Sequence, residues 1–218
     1  MPVELYQLYY RDDQKEKLLP FTIPIKTEGL TVYFETHWIK ELVLSSKAER
    51  VGVCSWKLRD KLRRNVGLRV PLTQEIINSD YDVLSLTKNG KKHTMLAHLY
   101  HWHPQSKKAM EVLWGKLGYK LPGEVKNPIY CHHFIAKREI YRDYVDNFLS
   151  PTMELMEKDE EVQNLMLQPS GYASLSREAD ARAVKEKLGL LDYPLLPFIL
   201  ERCAPAYLQV KNYRVTYL

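Results

Sequence analysis

At 218 residues, with 45% apolar and 27% charged residues, the chain has the make-up of one globular domain that buries its own core, which excludes extended disorder. A net charge of +5 is too modest to mark a nucleic-acid binder by itself. The three widely spaced cysteines, Cys54, Cys131 and Cys203, exclude a disulfide framework and read as buried, reduced thiols.

The start, Met1 to Tyr6, lacks a basic stretch leading into an apolar one, and no apolar run approaches the roughly 20 residues of a membrane span. The expected location is the cytoplasm. In chain order, Leu5 to Tyr10 reads as a first strand and Arg11 to Lys17 as a polar loop. Thr27-Glu28 offers a helix start, and Phe34, Trp38, Ile39, Leu42 and Val43 recur at helical spacing between about Leu30 and Leu44. Val51 to Cys54 is a buried-strand signal, followed at once by the cations Lys57, Arg59, Lys61, Arg63 and Arg64. Such a cluster attracts phosphate, of a nucleotide or a nucleic-acid backbone, or forms a solvated turn or helix face.

Leu72 to Asn78 predicts a short helix, Asp82 to Leu86 a strand and Lys88 to Lys92 a turn. Helices follow over His93 to His101 and from Pro104 through Leu117. Ile129 to Ala136 is strand-like, which would send His132 and His133 to opposite sides. Arg138 to Leu149 is an amphipathic helix that Pro151 should break or kink. Gln168 to Gly171 is a loop, Ser176 to Leu188 a charged helix and Pro197 to Leu208 an apolar one, and Tyr213, Val215 and Tyr217 alternate as in a terminal strand. Strands alternating with helices imply an α/β sheet, here in a single domain over 1–218 with a helical C-terminal part at about 138–208. Ligands of such sheets bind at the carboxyl ends of strands, where the basic cluster begins.

Several constellations could carry chemistry. Glu35 shares a helical stripe with Trp38, Ile39 and Leu42; a carboxylate there is either paired at the rim or a raised-pKa acid–base group. Ser55, Trp56, Lys57 and Arg59 suit a pyrophosphate: a hydroxyl donor, a stacking ring and two neutralising charges. Asp80-Tyr-Asp82 has the D-x-D spacing that can hold Mg²⁺ or Mn²⁺, although it precedes its strand, which also fits a strand-capping turn. His98, His101 and His103 form H-x-x-H-x-H without an acidic or cysteine partner at zinc-site spacing. Glu201-Arg202 interrupts an apolar helix, as a structural ion pair or as site residues. No P-loop, dinucleotide glycine motif or nucleophile elbow occurs.

The order of segments resembles the short GT-A-like putative glycosyltransferases of bacteria and phages, related to capsule and exopolysaccharide sugar transferases. The likeness rests on Tyr33-Phe-Glu35 with Trp38, Gly52-Val-Cys-Ser-Trp-Lys57, Tyr81-Asp-Val-Leu84, Cys131-His-His-Phe-Ile-Ala-Lys137, Tyr141 with Tyr144 through Leu149, and Ile199-Leu-Glu-Arg202. These blocks are collinear and cover about half the chain. The resemblance implies a GT-A-like mixed, mostly parallel sheet, with a nucleotide-diphosphate sugar bound near Tyr9, Tyr10 and the basic loop. Lys57 and Arg59, with Arg202 and a divalent ion at Asp80 and Asp82, would stabilise the leaving diphosphate. Glu35, Glu201 or His133 would act on the acceptor, a surface glycan or a modified base of phage DNA. The alternative is a non-catalytic nucleic-acid-binding protein whose cations and tyrosines contact phosphates and bases.

Overall fold

Short runs rich in β-branched and aromatic residues become the strands of one sheet. The computed structural model describes residues 2–28, 31–65, 73–87, 95–171 and 184–218. Its strands are β1 (Val3–Tyr9), β2 (Ile23–Lys26), β3 (Arg50–Ser55), β4 (Val83–Ser85), β5 (Phe134–Lys137) and β6 (Val215–Tyr217), in the order β2-β1-β3-β5-β4-β6. The pairs β1–β2, β1–β3 and β4–β6 are parallel, whereas β5 runs antiparallel to both β3 and β4. The result is an α/β fold on a mixed, mostly parallel sheet.

Side-chain alternation along the strands divides the core in two. Tyr6, Leu8, Val51, Val53, Val83, Phe134 and Ala136 face the larger cluster. That face is covered by α2 (Glu35–Ser45), α5 (Met95–Trp102), α6 (Ser106–Lys116) and a C-terminal helical group. The group comprises α7 (Arg138–Tyr144), α8 (Ser150–Lys158), α9 (Glu160–Met166), a helical stretch α10 at 184–188, and α11 (Leu196–Val210). Leu5, Cys54, Leu84 and Ile135 face the smaller cluster, which includes Leu58 of α3 (Leu58–Asn65) and Ile77 of α4 (Gln74–Asn78). No helix among the described residues is long and apolar enough to cross a membrane.

Most expected elements form, and the departures have local causes. β2 was not anticipated: Pro24 interrupts its sequence pattern, and it is tolerated because β2 is an edge strand. The polar loop after β1 contains a helical turn, α1 (Asp12–Lys15), whose amino end is held by Gln14 accepting from the backbone N–H of Tyr10 and Arg11. Helix α2 starts at Glu35 and not near residue 30, because Phe34 takes φ 50°, ψ −127°, which ends any helix before it. Residues 129–133 are irregular, and the strand expected there begins only at Phe134. Pro151 does not end its helix. The chain passes through a π-turn at Val145–Leu149 into α8, and the Asn147 carbonyl that Pro151 cannot bond accepts the Tyr119 hydroxyl at 3.4 Å. The turn expected at Lys88 to Lys92 and the charged helix before residue 184 lie outside the described residues.

Gly52 sits mid-strand on the smaller-core face, between Leu5 of β1 and Ile135 of β5. A Cβ there would stand 2.7 Å from Leu5 Cδ1, 2.8 Å from Ile135 Cγ1 and 3.0 Å from the Phe134 carbonyl oxygen. Gly52→Ala is therefore expected to destabilise the protein by about 1–3 kcal/mol, as overpacking does, read as a lower midpoint in urea denaturation at unchanged slope.

Candidate functional site

At the carboxyl end of the sheet, parallel pairing sets Leu8 beside Ser55, so the chain leaves β1 and β3 side by side. Buried Gln7 ties these exits together. Its amide donates to the Ser55 carbonyl at 3.1 Å, and its Oε1 accepts from Leu19 N at 2.7 Å and Thr22 Oγ1 at 3.0 Å. The loop so fixed carries Lys17, whose ammonium lies 4.8 Å from the centre of the Trp56 ring, while that of Lys57 lies at 5.4 Å. Tyr10 meets Trp56 edge-on at 6.5 Å. Trp56 is only 9% exposed, so the expected stacking of a ligand on this ring is corrected. The indole instead holds two cations by cation–π attraction. Tyr9 is buried, whereas Tyr10, 53% exposed, stands at the rim.

Because β5 is reversed, its amino end lies at this same end of the sheet. The turn leading into it puts Cys131 and His132 at φ 60° and 53°, the left-handed region that side chains other than glycine rarely occupy. Two partners hold it there. Glu201 Oε1 accepts the Cys131 backbone N–H at 2.8 Å, and the Lys61 ammonium donates to the Cys131 sulfur. Glu201 Oε2 pairs with Arg202 Nη1 at 2.9 Å. Neighbouring His133 is fully buried, with Nε2 3.1 Å from Ser55 Oγ and 3.4 Å from Ser55 N. Burial, then the charge of Lys61 and of His132, holds His133 well below the usual imidazole range. It is therefore neutral, with Nε2 placed to accept from Ser55. His132, also buried, is pushed down to about 4 by burial.

Glu35 opens α2 directly after the strained Phe34, whose ring packs on Tyr193 at 5.3 Å. Its side chain is exposed to water while many protein atoms lie around the carboxylate. That crowding raises its pKa to about 7; Lys57 and Lys61 pull it back and Glu201 pushes it further up. Glu201 is the opposite case. Burial opposes its charge, but Arg202, the Cys131 N–H, His132 and Lys61 together hold it below the usual carboxylate range. For Lys61 burial favours the neutral amine, and Cys131, Glu201 and Glu35 outweigh it, keeping the ammonium charged.

Glu35, Ser55, Lys57, His133, Glu201 and Arg202 thus lie in one region, and the geometry limits three of the expected residues. His133 has no exposed surface and can act on a ligand only through Ser55. Arg202 is committed to Glu201 and the Phe198 carbonyl. Arg59 is exposed on the outer side of α3's first turn.

Asp80 and Asp82 do not join the site. They lie at the amino end of β4, beside the start of β3, where Asp80 meets Arg50 at 3.5 Å and Asp82 meets Lys137 at 2.7 Å and Arg214 at 3.8 Å. The capping turn is the reading that fits. His103 binds the Ser170 carbonyl at 2.8 Å, and among the described residues no group of three metal-ligating side chains forms. Sequence reasoning missed Gln7 and Lys17, which no motif marks. It named Lys61 only as one cation of the run.

An acid whose folded-state pKa lies above its unfolded value binds more protons when folded between the two, so stability is lost as pH rises through the folded pKa. For Glu35 that window runs from the ordinary carboxylate range to about 7. Glu35→Gln removes the loss: its Tm should exceed that of wild type at pH 8, with the gap closing by pH 4, in thermal melts across that range. Comparison with protein-family models, with curated proteins and with solved structures returns no match.

Proposed function

We propose that the protein transfers a sugar from a nucleoside-diphosphate sugar to an acceptor hydroxyl. The observation that carries this reading is the meeting of Lys57 and Lys61 with Glu35, whose pKa is raised to about 7, at the carboxyl end of the sheet. A single reversed strand within an otherwise parallel sheet is in keeping with the GT-A-like arrangement that the sequence resembles.

The chemistry follows from the charges. The bond between the anomeric carbon and the diphosphate oxygen breaks, and negative charge grows on the diphosphate. Lys17, Lys57 and Lys61 neutralise it, and the backbone N–H groups opening α3 add partial positive charge. Ser55, its hydroxyl 3.1 Å from His133 Nε2, is spent on fixing the carboxyl end of β3 and the start of the basic segment beside the diphosphate. A new bond forms between the anomeric carbon and the acceptor oxygen, whose proton passes to Glu35. A carboxylate with a pKa near the working pH is suited to that task, whereas Glu201, held low and bonded through both oxygens, is suited to positioning. Asp80 and Asp82 do not fit a divalent ion serving this cleft, being paired with cations at the far end of the sheet, and no step here runs through one. The acceptor is a glycan or a modified base in DNA.

Two measurements test the proposal. A nucleoside diphosphate should stabilise the fold, as any ligand of the folded state does, by about 2.7 kcal/mol at a hundredfold excess over Kd, read as a higher Tm. A shift with oligonucleotide alone would replace the transferase by a nucleic-acid-binding protein. In a donor-hydrolysis panel of nucleotide sugars, run with and without chelator, Lys57→Ala and Lys61→Ala should each lower turnover by roughly tenfold or more, as loss of a charge-stabilising group does. A fall of less than about fivefold for both would remove the basic segment from the mechanism.

A further inference from the structure

Helix α5 carries the most exposed aromatic side chain of the described residues: Trp102 is 56% exposed, although indoles are ordinarily well covered. One turn earlier on the same helical face is His98, its ring 6.4 Å from the indole, and His101 meets the indole edge-on at 5.3 Å. Both histidines are exposed. This face borders the cleft. His98 lies within the fields of Arg202 and Glu201, and α5 packs on α11, the His103 ring meeting Phe198 at a tilt at 4.6 Å, one turn before Arg202.

The chemistry of the patch limits what it fits. Around Trp102 in sequence the exposed residues are Ala97, His98, His101, Pro104 and Gln105, so the indole is edged by two imidazoles and an amide. Burial and the nearby Arg202 charge keep His98 below its ordinary pKa, so it presents neutral donor and acceptor nitrogens and not the cations a polyanion needs. A flat ring edged by hydrogen-bonding imidazoles complements a pyranose, which has one face of C–H groups and a rim of hydroxyls.

We infer that Trp102, with His98 and His101, is the docking platform for a saccharide acceptor, next to the cleft that holds the donor. This commits the acceptor to the glycan side, and it rests on the transferase reading for its role though not for binding itself. The platform holds the acceptor by one ring while the hydroxyl to be modified reaches Glu35.

The test uses the full chain and the variants Trp102→Ala and Trp102→Phe against a printed panel of oligosaccharides built from neutral hexoses, N-acetylhexosamines and uronates. Wild type should bind a subset, Trp102→Ala should lose that binding by at least about tenfold, and Trp102→Phe should retain most of it, as expected for stacking. In transfer assays Trp102→Ala should raise the acceptor KM and leave acceptor-free donor hydrolysis and the nucleoside-diphosphate Tm shift unchanged. Wild-type glycan binding without donor hydrolysis would sink the transferase reading and keep the platform. Donor hydrolysis with glycan binding unaffected by Trp102→Ala would sink the platform and keep the transferase. Loss in Trp102→Ala of self-association, or of salt-sensitive duplex DNA binding, in place of glycan binding would overturn the inference in favour of a protein or DNA contact.

Discussion

The candidate site depends on one reversed strand. In a wholly parallel sheet the amino end of β5 would lie far from the carboxyl end of β3. Running β5 backwards between β3 and β4 brings the Cys131–His133 turn against Ser55. Gly52 makes the close pairing possible, since the Leu5 and Ile135 side chains occupy the space over its Cα. The turn itself places two adjacent non-glycine residues at positive φ, a conformation that costs free energy and persists only where surroundings enforce it. Glu201 on the backbone and Lys61 on the sulfur supply that enforcement. Strain in the turn and the convergence of charges are thus two aspects of one arrangement.

Two carboxylates face the same lysine and take opposite electrostatic states. Glu201 has a guanidinium and a backbone N–H committed to its two oxygens, and this fixes its charge in spite of burial. Glu35 has no such committed donor: Lys57 and Lys61 act on it through space, and burial wins. The division follows from position in the chain. Glu201 lies within a largely buried helix, whereas Glu35 is the first residue of α2, directly after the strained Phe34. One group is thereby left titratable and the other held charged.

Much of the sheet was legible in the sequence because buried strands are marked by local composition. Val51–Cys54 and the stretch after Asp82 needed only apolar density to be read. What escaped was set by distant partners. β2 looks like a proline-broken loop until β1 pairs with it, and Pro151 looks like a helix end until Tyr119 satisfies the carbonyl it leaves free. The D-x-D spacing at Asp80 and Asp82 was visible, but whether it faces a cleft depends on the end of β4 it occupies. Arg50, 1% exposed and stacked 4.5 Å over Tyr81, meets Asp80 at the amino end. At that end the carboxylates balance buried charge.

The same reasoning explains why the sequence treated Lys57 and Arg59 alike and gave Lys17 and Lys61 no separate place. Charge density along the chain identifies a cluster, but the ability of a lysine to act on a ligand depends on what holds its ammonium in place. Lys57 and Lys17 are held over one indole although 40 residues separate them in the chain, and Lys61 is held by a sulfur 70 residues away. Arg59, between them in sequence, turns to solvent because a helix rotates successive residues by about 100°. Leu58, buried in the smaller core at the first position of α3, sets how that helix lies on the sheet, and so Lys61 comes inward to Cys131 while Arg59 stays in solvent.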